Sequence, residues 1–142
     1  MSAWPPIASL LPHAAPMLAL EELLDWAPGR ATARMTVRGD GPFVRDGAVA
    51  GVCTLEFMAQ GVAACLGCEA ANAGAAVRVG VVIAVRSMDI ERDALPVGTE
   101  LVIRVRRVRG SESLSIFETE AEDGTGIVAR AVMTLLHGAP PR

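Results

Sequence analysis

Glu56 and Gln60 stand four residues apart in the stretch Gly51-Val-Cys-Thr-Leu-Glu-Phe-Met-Ala-Gln-Gly-Val-Ala-Ala-Cys-Leu-Gly-Cys68, which is otherwise almost wholly apolar or small. A helix that is apolar all round is a buried helix, and a carboxylate inside one is costly unless something uses it. Burial disfavours the charged form of a carboxyl and so suits it to proton transfer. The bland alternative is a glutamate paired with an arginine or favoured by the helix dipole. Gln60, one turn on, either orients that carboxylate or makes a structural hydrogen bond. His13, flanked by Pro12 and Pro16, is the other candidate acid/base, because imidazole titrates near neutrality. Its competing role is to cap a turn by binding backbone. Backbone N–H groups at the helix start, around Gly51 and Val52, would polarise a carbonyl as an oxyanion site.

Other polar residues have weaker claims. Asp40 and Asp46 lie in a glycine-rich loop and either contribute a polar group or serve turns. His137, beside the C-terminal tail, reads as a surface bystander. Cys65-Leu-Gly-Cys68 has the spacing of half a zinc site or a redox pair. Zinc needs further ligands nearby and the redox motif opens a helix, so these read as buried core thiols. Arg104, Arg106, Arg107 and Arg109 form a basic run, either a solvated face or a docking patch for an acidic partner.

The elements that must position these groups fit one domain of 142 residues. Half the residues are hydrophobic and the net charge is −3, so no general nucleic-acid affinity is implied. The absence of lysine and tyrosine excludes Schiff-base lysine chemistry and any Tyr-Lys hydride-transfer site. The first thirty residues lack a cationic start followed by an apolar core, so no signal peptide is expected. Hydropathy over residues 48–68 mimics a membrane span, but Glu56, Gln60 and the many small residues argue for a buried helix of a soluble protein. Three cysteines on that helix suggest reduced thiols in a cytoplasmic protein.

Residues 5–12 predict a short helical turn between prolines; Met17 to Trp26 favours a strand, although Leu18-Ala-Leu-Glu-Glu-Leu-Leu also fits a helix. Ala27-Pro-Gly-Arg30 is a turn, and Ala31 to Val37 alternates as a half-buried strand. A loop from Gly39 to Gly47 feeds a central helix over about residues 50–72, closed by Asn72-Ala-Gly74. After the helix the period changes from 3.6 to 2: the β-branched run Val77 to Arg92 is a strand and Leu95-Pro-Val-Gly98 a turn. Glu100–Arg109, Ser113–Ala121 and Ile127–His137, joined by short turns, read as an antiparallel meander. Residues 138–142 are an expected frayed tail after a 1–15 N-terminal segment. The class is α+β.

Leu11-Pro-His13-x-x-Pro16-Met-Leu, then Pro42-Phe43, then Gly51-x-x-x-Leu55-Glu56-Phe-Met58-Ala59-Gln60 resemble the β-hydroxyacyl-acyl-carrier-protein dehydratases of the hotdog fold. The similarity covers almost the whole chain, and Leu-Glu-Phe-Met-Ala-Gln is its specific element. It implies an antiparallel sheet wrapped around a long central helix, and dimers with active sites at the subunit interface. It also implies catalysis by the helix glutamate, Glu56, with a histidine usually placed in a loop just before the helix. Here that segment is Val-Arg-Asp-Gly-Ala-Val-Ala, shorter than the family's loop and without histidine. The chain is therefore more similar to the divergent branch associated with aryl-polyene and related acyl-chain pathways.

The implied reaction is dehydration of a 3-hydroxyacyl thioester on acyl carrier protein. It removes a C2 proton and protonates the departing C3 hydroxyl. Glu56 would be the principal acid/base and His13 would stand in for the loop histidine. Gly51, Val52, Gln60 and Asp46 would contact substrate, with no metal and no cofactor, since the thioester itself acidifies C2. Met17, Met35, Met58 and the small helix residues suggest an adaptable apolar tunnel. The rivals are an acyl-thioester hydrolase using Glu56 to activate water, and a non-catalytic subunit supporting a catalytic hotdog partner. The assembly would be a homodimer or a heterodimer.

Overall fold

A computed structural model describes residues 4–75, 80–111 and 113–137. The expected frayed tail and the first residues of the run beginning at Val77 lie outside the described residues. In chain order the strands are β1 (Glu22–Ala27), β2 (Arg30–Thr36), β3 (Ala48–Ala50), β4 (Val81–Ile90), β5 (Ala94–Pro96), β6 (Glu100–Gly110), β7 (Leu114–Asp123) and β8 (Gly126–Leu136). Between β3 and β4 runs one helix, α1 (Thr54–Asn72), entered through a 3-10 turn at Gly51–Cys53. Six strands form an antiparallel sheet in the order β1-β2-β6-β7-β8-β4, and β3 pairs with β5 beside it.

Alternation along β6 sends Leu101, Ile103 and Val105 inward, and β7 and β8 do the same with Phe117, Ala121, Ala129, Ala131 and Met133. These side chains surround Met58, Val62, Ala64 and Cys65 of α1, all fully buried. Gly51–Asn72 is long and apolar enough to cross a membrane by length and composition, yet 61% of its apolar window is buried inside the protein. It is the core helix. It ends in a Schellman arrangement: Ala75 N–H donates to Ala70 O at 2.8 Å and Gly74 N–H to Ala71 O at 3.1 Å, with Gly74 at φ +70°.

Small residues let α1 sink into its surroundings. A Cβ at Gly61 would lie 2.8 Å from Ile103 Cγ2, and one at Gly67 only 2.2 Å from the Leu10 carbonyl oxygen. Gly67→Ala gains about 1 kcal/mol of helix propensity, but forces backbone against backbone at a cost above that. The expected net loss is about 2 kcal/mol, read as a lower urea midpoint at unchanged slope. A midpoint equal to the parent's would show that the N-terminal segment yields freely.

Three local expectations are corrected. The first strand begins at Glu22 rather than Met17, because the backbone of residues 17–20 is bonded by the Gln60 side chain instead of a neighbouring strand. Leu95 and Pro96, expected within a turn, extend instead with Ala94 as β5 along β3, and only Val97-Gly98 turns, with Gly98 at φ +95°. The run after residue 80 does not keep a period of two. Ile83 and Arg86 are extra residues in the pairing of β4 with β8, so Val82, Val85, Met88 and Ile90 share its helix-side face.

β4 is one of the sheet's two outer strands, the other being β1, and Val81, Val82, Ile83, Val85 and Ile90 are all exposed on it. On the face away from α1, the basic run is absorbed by cross-strand pairs. Arg104 meets Glu120 and Glu122, and Arg106 meets Glu118. Arg107 points the other way, onto α1. Of the two readings of the run, these pairs favour the solvated face over a docking patch.

Candidate active site

Pro12, His13 and the following turn bring the N-terminal segment across the first turns of α1, where Glu56 projects. His13 Nε2 lies 3.4 Å from Glu56 Oε1, with both side chains about 30% exposed (28% and 32%). The two groups singled out for proton transfer, 43 residues apart in sequence, therefore share one mouth. Among the described residues the buried His13 Nδ1 has no hydrogen-bond partner.

Gln60 ties this couple to the fold. Fully buried, its Oε1 accepts from the N–H groups of Ala19 at 2.9 Å and Leu20 at 3.4 Å. Its Nε2 donates to Met17 O at 2.8 Å and to Glu56 Oε1 at 3.0 Å. One amide thus anchors the His13-bearing segment and steadies the carboxylate, so both roles considered for it are present.

From Glu56 an apolar groove of about 380 Å³ runs along α1. Ala59, Ala63 and Leu66 floor it, and Gly80, Val81, Val82 and Leu135 form the opposite wall. Glu56, Ala59, Ala63 and Leu66 recur at helical spacing and are half-buried, while the residues between them are mostly buried. This is the one stripe of the middle of α1 that neither the sheet nor the N-terminal segment covers. The sequence points to small helix residues lining an apolar tunnel without saying which of them do; counting i+3 and i+7 from Glu56 picks out Ala59 and Ala63, whereas Leu66, Gly80, Val81, Val82 and Leu135 carry no such signal.

The other expected contacts are placed elsewhere. Gly51 N–H donates to Asp93 O at 2.8 Å, so that donor is already spent, and Val52 is exposed outside the groove. Asp46 (φ 53°) and Gly47 (φ 78°) are the centre of a tight turn between Arg45 and Ala48, and neither lines the groove. Asp46 serves that turn. Met58 is buried against Thr119, and Met17 and Met35 line a separate small pocket beneath Phe43, so the methionines do not form the groove.

A second polar cluster closes the far end of α1. Arg107 makes a two-pronged pair with Glu69, at 2.9 and 2.7 Å, and donates to Ser115 Oγ, which lies 2.7 Å from His137 Nε2. Gly29 N–H also donates to Glu69. Burial alone would raise the Glu69 carboxyl, but the Arg107 and Gly29 hydrogen bonds hold it below the usual range. Cys65 alongside is pushed up to about 12, first by burial and then by Glu69, which makes it an inert thiol. His137 is no surface bystander. Burial, and then the Arg107 charge, hold it below the ordinary histidine value.

The native state therefore binds fewer protons at His137 than the unfolded chain does. Its contribution is present above the ordinary histidine pKa, near 6.5, and is lost as pH falls from there through the folded-state value. Urea stability measured from pH 7 down to pH 5 should fall more steeply for the parent than for His137→Asn. Parallel curves would remove His137 from the account. Glu69 and Arg107 are the charged groups that act on the ring, both remain in His137→Asn, and the Glu69 carboxyl titrates lower still.

The family model described as ApeP-like, ApeP dehydratase, matches residues 5–140. No curated protein matches the chain. Among solved structures, the dehydratase heterocomplex ApeI:P from Xenorhabdus doucetiae is similar at 24% identity. The match covers 96% of this chain and 93% of that one, with a TM-score of 0.89. The HP0420 homologue from Helicobacter felis superposes at 0.71 with 15% identity, over 100% and 96% of the two chains. A hypothetical thioesterase with coenzyme A from Streptococcus pneumoniae TIGR4 superposes at 0.65 with 15% identity, over 84% and 88%. These likenesses establish the hotdog fold, a curled antiparallel sheet around one helix.

Proposed function

This chain belongs to the ApeP-like dehydratase family, and from that premise we propose that it dehydrates 3-hydroxyacyl thioesters carried on acyl carrier protein, with Glu56 and His13 as the proton-transfer couple. The observation that carries the reading is the 3.4 Å approach of His13 Nε2 to Glu56 Oε1 at the head of an apolar groove. One member takes the C2 proton, the C2–H electrons become the C2=C3 bond, and the C3–O bond breaks. The other member gives its proton to the departing hydroxyl, which leaves as water. The couple then holds the proton on the wrong member, and direct contact lets it cross back and reset the site. The acyl tail lies on Ala59 and Ala63 of α1.

A second hotdog subunit, identical or different, adds to the exposed edge of β4. Support comes from the uncovered helix-side residues Val82, Val85 and Ile90 and from the unpaired edge itself. By its description, the similar Xenorhabdus assembly is itself a heterocomplex. The three free thiols suit a reducing, cytosolic setting.

Mass spectrometry of a 3-hydroxyacyl-carrier protein incubated with the purified chain tests the reaction. Loss of one water with the thioester intact is the expected product, whereas free carrier thiol would establish hydrolysis instead. No change alone, but loss of water after adding a second hotdog subunit, would make this chain the supporting member.

A further inference from the structure

Resting on the groove assigned above as the acyl site, we propose that Leu66 is the stop that sets how long an acyl chain the protein accepts. The floor of the groove is graded. It begins at Glu56, passes two alanines at 59 and 63, and ends at the first large side chain on the same stripe, Leu66. Ten residues of helix separate Glu56 from Leu66, or about 15 Å along the axis.

At that point the walls converge on the floor. A Cβ built on Gly80 would lie 3.7 Å from Leu66 Cδ1 and 3.9 Å from Leu135 Cδ2, so floor and wall approach to within about the width of one methyl group and the groove narrows at Leu66. Beyond them the helix carries Glu69, engaged by Arg107 and Gly29, a polar cluster that an aliphatic chain gains nothing by reaching. An apolar tail running from the His13–Glu56 end is therefore received for the length of two alanines and then meets Leu66.

Removing the stop and raising the floor should move the limit in opposite directions. With 3-hydroxyacyl N-acetylcysteamine thioesters of short, medium and long chain, Leu66→Ala is expected to raise the long-to-medium ratio of kcat/KM by about tenfold. Ala63→Leu should lower the medium-to-short ratio by a similar factor. The same series of unreactive saturated acyl N-acetylcysteamine thioesters, titrated calorimetrically, reports the length limit through binding alone. A protein that dehydrates nothing still shows whether the limit moves, so failure of the dehydratase reading and failure of this one are distinct. Circular dichroism confirms that each variant is folded, and the opposing pair guards against loss of either one. Ratios and binding limits unchanged in folded Leu66→Ala or Ala63→Leu would overturn the proposal.

Discussion

Glu56→Gln is expected to reduce dehydration by about a thousandfold, within the range that positioned acid/base groups supply. The substitution keeps the shape and the hydrogen-bonding reach of the side chain but removes the exchangeable proton. Gln60 Nε2, now facing an amide, still finds an acceptor there, so the fold should be retained. The loss should therefore fall on kcat, with KM little changed, because nothing that holds the tail in the groove is altered. Single-turnover rates beside KM on one carrier-bound substrate provide the check. A variant keeping more than a tenth of the parental rate would take Glu56 out of the proton transfer and leave His13, or a group from a second subunit, as the active member.

Gln60→Leu should cost both stability and activity, and for one reason. The leucine is close in size and fits the buried site. It leaves the Ala19 N–H, the Leu20 N–H and the Met17 carbonyl without their partner, around a side-chain site that is itself fully buried. At about 1–3 kcal/mol for each strongly orphaned group, and with part of the loss recovered by shifts of residues 17–20, about 4 kcal/mol is expected. Urea denaturation reads this directly. In the protein that remains folded, the His13-bearing segment loses its anchor and Glu56 loses one of its donors, so activity should fall as well. Gln60→Glu separates the two roles. Its carboxyl keeps an acceptor for Ala19 and Leu20 but sets a second acid against Glu56 Oε1 and the Met17 carbonyl, so stability should fall here too, while its rate against pH should be displaced from the parent's as that of Gln60→Leu is not. Unchanged stability in Gln60→Leu would mean that the segment is held by its apolar contacts alone.

The core helix was legible because its composition admits nothing but burial, and because one carboxylate interrupts it. Its glycines announced close neighbours without saying which ones, and only the structure shows Gly67 against Leu10 and Gly61 against Ile103. The meander was legible for a simpler reason: β6, β7 and β8 are long and follow one another through short turns. Segments below the reach of pattern were lost. β3 and β5 are three residues each, too short to show any period. β1 starts late because a side chain 40 residues away satisfies the backbone before it. In the site, Glu56 and His13 are residue types whose chemistry is visible in any context. The groove is made of alanines and leucines, and only the uncovered stripe of α1 distinguishes them from core.

Main-chain groups along the free edge of β4 are the same as those of every other protein, so any strand that adds there gains hydrogen bonds without being recognised. The extra residues Ile83 and Arg86 change that. Each shifts the phase in which N–H and C=O groups face outward, dividing the edge into short runs that do not line up with one another under a slide of one or two residues. A strand can zip along it in one register, set by where the spacing breaks. The edge is a keyed joint: its strength is anonymous, and its identity is written in its interruptions.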